Sequence, residues 1–170
     1  MKKFELTSEF VTFLGKTLFR IKALVSFGDV AEGELGGFIE RENNLDQSGD
    51  AWVYGDAQVS GNAQVSGDAR VYGDAWVCGD ARVYGDAWVC GDAWVQNCRD
   101  YSATSCFGSE NRTTTFFRTK DGGISVRCGC FYGTLREFRE KVKERHGDSR
   151  LAKEYLMLAD LMEFRLSKDE

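Results

Sequence analysis

The sequence predicts a mainly β protein: a parallel β-solenoid over residues 49–96, a β segment before it (1–48) and a small α+β module after it (97–170). Three observations carry that prediction. From Gly49 to Gln96 the chain repeats every six residues, eight times without insertion: GDAWVY, GDAQVS, GNAQVS, GDARVY, GDAWVC, GDARVY, GDAWVC, GDAWVQ. Each unit holds one Ala-x-Val alternation, which sets alanine and valine on one side of an extended segment and the residue between them on the other. After Gln96 the repeat stops, and β-prone runs lead into helix-start signals. One strand and one turn every six residues leave no room for an antiparallel meander but suit coils stacked on one another. The 170 residues include 19 glycines and no proline, and eight of those glycines open the units.

In the N-terminal part, residues 10–14 and 17–24 are β-prone runs joined through Gly15-Lys16, a hairpin signal. The stretch from Phe27 to Ile39 is expected to lead into the first coil. Ile39 and Leu45 fall in six-residue phase with Ala51, so two degenerate units are expected ahead of the strict ones. Terminal coils expose core and strand edges, so capping is the expected task of this part.

If three units make one coil, residues 18 apart stack about 4.8 Å from one another. One face would carry Trp52, Arg70 and Trp88, a second Gln58, Trp76 and Trp94, and a third Gln64 and Arg82; Tyr54, Tyr72 and Cys90 would share a corner. Trp52, Trp76, Trp88 and Trp94 then all point outward, too apolar a set to leave in water. They are the expected interface of a homo-oligomer, a trimer being favoured, with cover by the flanking segments or a partner protein as alternatives.

These units resemble the hexapeptide family of left-handed β-helices, whose coils are triangular prisms of three hexapeptides. The valines from Val53 to Val95 match its aliphatic corner position, and the alanines from Ala51 to Ala93 its small inward position. The resemblance implies a left-handed winding, where the general crossover rule would favour the right hand. Many members are acyltransferases with an imidazole base at a subunit boundary; others are carbonic anhydrases with three zinc-binding histidines. The single histidine here, His146, lies outside the repeats, and no loop interrupts them to cover an acyl donor. The coils are therefore expected to be a scaffold with no catalytic residue and no cofactor, a hexapeptide-type transferase being an alternative.

In the tail, residues 101–107, 113–118 and 124–131 read as three strands, the last two joined by a turn at 119–123. Thr134 and Glu137 make a capping box for a helix that carries Leu135, Phe138 and Val142 on one stripe and ends at His146-Gly147. A second helix is expected from about Asp148-Ser149, burying Leu151, Tyr155, Leu158 and Met162. The run from Gly108-Ser109-Glu110-Asn111-Arg112 through Thr113-Thr114-Thr115-Phe116 to Arg118-Thr119-Lys120-Asp121-Gly122, with Cys128-Gly129-Cys130-Phe131, resembles a module found in proteins of phages and gut-bacterial mobile elements. This is also the densest polar cluster in the chain, and its backbone N–H, hydroxyl and guanidinium groups suit an anion. The candidate ligand-binding residues are Ser109, Asn111, Arg112, Thr113 and Thr114 from the loop, with Lys120 and Arg127 from the adjoining hairpin. His146 reads as a cation at a helix C-terminus.

The net charge is −5, and seven aspartates against two arginines in residues 49–96 account for all of it; the N-terminal part carries −2 and the tail +2. An aspartate-edged rod argues against direct nucleic-acid binding, while the slightly basic tail leaves an anionic ligand open. No leader or membrane span is visible, so the six cysteines are expected to be thiols of a cytoplasmic protein. Cys98, Cys106, Cys128 and Cys130 lack paired C-x2-C knuckles and are not expected to hold metal. Cys128 and Cys130 flank one glycine and would face the same side of a strand. The expected function is non-enzymatic: a phage-type binding protein whose oligomeric β-helix displays a module that captures a small anionic, nucleotide-like host molecule in counter-defence. The alternative is an acidic solenoid that mimics nucleic acid and inhibits a host protein.

Overall fold

The computed structural model describes residues 2–167. Eight two-residue strands make the coils: β4 (Trp52–Val53), β5 (Gln58–Val59), β6 (Gln64–Val65), β7 (Arg70–Val71), β8 (Trp76–Val77), β9 (Arg82–Val83), β10 (Trp88–Val89) and β11 (Trp94–Val95). They pair in parallel at a spacing of 18 residues, Trp52 with Arg70 and Trp88, Gln58 with Trp76 and Trp94, Gln64 with Arg82. The result is a β-solenoid of about three turns with the faces expected from the repeat. Every repeat alanine and valine from Ala51 to Val95 is buried and belongs to one core. Between strands the Gly-Asp turns keep glycine at positive φ, and close approach adds a second constraint: a Cβ on Gly49 would lie 2.6 Å from the Gly67 carbonyl oxygen of the next coil.

The N-terminal strands are β1 (Phe4–Phe13), β2 (Lys16–Ala23) and β3 (Leu35–Ile39). β1 reaches back six residues further than its β-prone run, because Phe4 through Leu6 pair with Ala23 through Ile21. Leu14 and Gly15 both take positive φ in the two-residue turn, as a hairpin matched to strand twist requires. β3 pairs antiparallel with β2 and parallel with β5, so β1-β2-β3-β5-β8-β11 is one continuous sheet.

Ile39 and Leu45 do open the solenoid, but two residues out of the expected phase. They pair with Val59 and Val65, and so occupy valine positions rather than alanine positions. The slack is taken up between Asp46 and Asp50, where the chain is two residues longer than a standard turn. Lys3 holds that irregular turn: its buried ammonium donates to the carbonyls of Ser48, Gly49 and Ala51 at 3.4, 3.2 and 2.9 Å. Burial pushes the Lys3 pKa down, against the attraction of Asp46 and Asp50.

Glu40 ties the hairpin to the first full coil. Its carboxylate accepts from the Gly61 N–H at 2.6 Å and from Lys16 Nζ at 3.0 Å. The Gly61 bond above all, helped by Lys16 and Arg41 and opposed by burial, holds its pKa at about 2 against an ordinary 4.5. A carboxyl whose folded pKa is depressed adds stability that is whole above its unfolded value and fades as pH falls toward the folded one. We expect Glu40→Gln to cost about 1–2 kcal/mol at pH 7, the lysine partner being half-exposed. Thermal melts of both proteins should converge between pH 4.5 and about 2; a gap that persists at pH 2 would dismiss the carboxylate as its source.

The tail forms a four-stranded antiparallel sheet, β12 (Tyr101–Phe107), β13 (Arg112–Arg118), β14 (Ile124–Cys128) and β15 (Phe131–Thr134), followed by α1 (Leu135–His146) and α2 (Arg150–Leu166). The expected third strand over 124–131 is in fact a hairpin, because Gly129 turns at φ +58 and Cys128 pairs back with Phe131. Cys128 and Cys130 therefore flank a turn rather than sharing a strand face; one is half-buried and the other exposed. The capping box at Thr134 and Glu137 is formed, and Ser149 caps α2. Leu151 is only half-buried, and Ala152, Ala159 and Leu166 join Tyr155, Leu158 and Met162 in the core instead.

This sheet is a partition. Phe116 and Val126 pack under the helices, whereas Tyr101 and Phe117 join the solenoid core. Thr115 Oγ1 accepts from the Trp88 N–H at 3.1 Å, and the Lys120 N–H donates to the Asp92 carbonyl at 3.0 Å. Among the described residues no helix is long and apolar enough to cross a membrane.

Candidate functional site

The four tryptophans are covered largely by their own chain. Trp52 is fully buried, with the Phe4 and Phe27 rings set edge-on at 6.2 and 5.4 Å. It has no surface to offer a partner, which corrects its assignment to an oligomer interface. The physical reason is that β1 and the loop after β2 fold over its face of the solenoid. Trp76, Trp88 and Trp94 are half-buried. Phe13 meets Trp76 at 5.0 Å, Trp76 meets Trp94 at 4.4 Å, and the guanidinium groups of Arg70 and Arg127 lie over Trp88 at 5.1 and 5.0 Å.

A better-defined recess lies in the tail. A cavity of about 310 Å³ opens between the β12–β13 turn, the Cys128–Phe131 hairpin turn and the two helices. Its apolar wall is Phe131, Phe138, Val142 and Tyr155; its rim carries Ser109, Glu110, Arg112, Lys141, Arg145 and His146. The β12–β13 turn is shaped by Gly108 and Asn111, both at positive φ, and pinned by the Ser109 N–H donating to Tyr155 Oη at 3.1 Å. The II′-like Gly129 turn brings the other hairpin under Arg112, close enough that a Cβ on Gly129 would lie 3.0 Å from Arg112 Nη1. On α1, positions 138, 141, 142, 145 and 146 fall on one face by helical periodicity, so two basic groups ride beside two core residues. His146 stacks on Tyr155 at 5.6 Å and 25°.

Three of the rim groups are cationic and one, Glu110, is anionic. Arg112 stands 3.9 Å from Glu110, and Lys141 bonds Glu144 at 2.7 Å; all four side chains are more than half exposed, so these pairs are weak and exchangeable. Such an arrangement offers several N–H donors to an anion and an apolar wall to whatever is attached to it.

The sequence-derived ligand set divides. Ser109 and Arg112 line the cavity. Asn111 serves the turn, and Thr113 Oγ1 shares a hydrogen bond with Ser105 Oγ at 2.9 Å. Thr114 is buried and donates to Cys128 Sγ at 3.2 Å, beneath the cavity floor. Lys120 and Arg127 do not belong to the site, which corrects that part of the set. Strand alternation sends Arg127 to the same sheet face as its register partner Thr115, toward Trp88, and Lys120 Nζ lies over Trp94 at 5.9 Å. Lys141, Arg145 and Tyr155 also line the cavity, and their only sequence signal is the four-residue spacing of Lys141 and Arg145 beside Phe138 and Val142. Among the described residues no group of three or more His, Cys, Asp or Glu side chains is placed to hold a metal ion. Burial pushes the Cys78 and Cys90 thiols above their usual pKa, so neither is a ready thiolate.

A family model described as the YdcK beta solenoid repeat matches residues 63–79 and 75–91. The chain carries a β-solenoid. That similarity spans part of the coils and concerns the repeat alone. No curated protein matches the chain.

Proposed function

We propose that the protein is a non-enzymatic binding protein in which the solenoid, wound left-handed as in the hexapeptide type, is the scaffold and the tail captures a small anionic, nucleotide-like molecule. The observation that supports this reading is the convergence of Arg112, Lys141 and Arg145 over the Phe131, Phe138, Val142 and Tyr155 wall. Cations on the rim suit a phosphate, and the aromatic wall suits a base. At about 310 Å³ the cavity sits at the small end of ligand sites, which favours one nucleotide unit over two. A phage-type counter-defence protein that sequesters a host nucleotide signal fits this chemistry, since capture needs no turnover.

Isothermal titration of the full chain with linear and cyclic mononucleotides tests the reading. We expect binding that weakens as salt rises and is lost about tenfold in Arg112→Ala and in Arg145→Ala, each removing one charge-assisted contact. No heat with any nucleotide, or affinity untouched by both substitutions, would sink it.

A further inference from the structure

α2 is apolar on two opposite faces. One face, with Ala152, Tyr155, Leu158, Ala159, Met162 and Leu166, is buried against the sheet and α1. The other presents Met157, Leu161 and Phe164, which are 71 %, 56 % and 86 % exposed. Their i, i+4, i+7 spacing makes one continuous seam, the pattern of a helix that packs on a second helix. Scattered exposed apolar residues need no explanation, but a seam of three neighbouring ones does.

The charges beside the seam say what covers it. Glu154 and Arg165 are 11 residues apart, three helical turns, so they lie on the same flank of the seam at its two ends. A two-fold axis perpendicular to a helix turns it antiparallel and lays each flank on the same flank of its copy. The axis that sets Met157 opposite Phe164 of a second copy passes midway between them, beside residues 160 and 161. The midpoint of Glu154 and Arg165 lies within one residue of it. The same operation therefore brings each Glu154 to the other copy's Arg165, giving two ion pairs. On the opposite flank the two copies of Asp160 approach the axis; each is paired with Arg139 at 2.7 Å, a guanidinium it shares with Glu163, so this flank opposes the dimer and the Glu154–Arg165 flank favours it. Among the described residues Glu154 pairs with its i,i+4 neighbour Arg150, at 3.3 Å and 94 % exposed, a pair that exchanges at little cost.

We propose that two copies of the chain pair antiparallel through α2, with Met157, Leu161 and Phe164 as the seam and Glu154–Arg165 as reciprocal ion pairs. This is a two-fold contact on the tail, separate from the tryptophan faces of the solenoid and independent of the ligand reading. Two turns of helix bury less than the roughly 1,200 Å² of a tight interface, so the dimer should be concentration-dependent.

Sedimentation equilibrium of the full chain tests it. The expected result is a mass that rises from 19.1 kDa to twice that value with concentration. Leu161→Glu with Phe164→Glu should remain monomeric throughout with an unchanged far-UV spectrum and melting curve, both side chains being exposed. Glu154→Arg and Arg165→Glu should each weaken the dimer about tenfold, and the double reversal should restore it. A chain still monomeric at about 500 µM, where a weak interface would already populate, overturns the proposal. So does an oligomer that survives the double glutamate variant, or a charge reversal that is not rescued.

Discussion

Replacing Trp52 with alanine is expected to cost about 3–5 kcal/mol of folding stability, the range for emptying a fully buried aromatic site. The indole stands at the start of its solenoid face, under Phe4 and Phe27 and over Arg70 in the next coil. Removing it leaves a void under the Phe4 and Phe27 rings that β4, fixed by its parallel pairing with β7, cannot move to close. Trp52→Phe should be far milder, about 1–2 kcal/mol, because the Trp52 Nε1–H is buried with no acceptor among the described residues and its loss relieves an unpaired donor. Urea unfolding followed by circular dichroism reads both values. A cost below about 1 kcal/mol for the alanine variant would mean that the N-terminal segment does not close over this ring. The same variant separates a core role from an interface role, because only the former lowers stability independently of protein concentration.

The second large effect is expected at the joint between solenoid and tail. Asp100 is 4 % exposed at its side chain and accepts from the N–H groups of Gln96 and Asn97 and from Asn97 Nδ2 at 2.9–3.0 Å. Arg118 completes its neutralisation at 3.1 Å, while its remaining N–H groups donate to the carbonyls of Leu166 at 2.7 Å and Ser167 at 2.9 Å. One guanidinium therefore ties the last coil, the sheet and the end of α2 together, which a lysine ammonium has neither the planar fork nor the reach to do. Arg118→Met leaves a buried carboxylate short of its counter-charge and should cost about 3 kcal/mol, at the lower end for a broken buried pair because three N–H donors remain. Asp100→Asn in the same chain should recover part of that loss. Strict additivity of the two substitutions, within about 0.5 kcal/mol, would show that they do not act as a pair.

Much of this architecture was legible in advance. The Ala-x-Val alternation and the spacing of six identified the strands, and their 18-residue pairing is as the repeat implied, because each coil offers the same hydrogen-bond register to the next. α1 begins at the capping box read from the sequence, Thr134 with Glu137, and α2 begins beside the expected Asp148-Ser149, since helix starts are a matter of three or four neighbouring residues. The errors share a cause. Ile39 and Leu45 lie two residues off the strict phase because the 46–50 turn is the longer one, and the Lys3 ammonium that holds it comes from more than 40 residues earlier. β propensity alone runs one strand over 124–131 through Gly129, whose positive φ is a property of the closed hairpin. Proximity in sequence groups Arg127 and Lys120 with Arg112, although strand alternation and the solenoid surface draw them to Trp88 and Trp94.

The sequence by itself determined that this protein carries a β-solenoid with two helices after it, roughly where those helices begin, and which residues fill the coils. Those properties repeat within a few residues and are set by alternation, turn chemistry and capping. Only the tertiary structure decided what covers the tryptophans, that the tail sheet divides two cores, and that Lys141, Arg145 and Tyr155 meet Arg112 around a cavity. Each of these depends on which distant segments face one another. A side chain's own neighbourhood in the sequence carries no record of that, because the free energy that selects it comes from burial against partners tens of residues away.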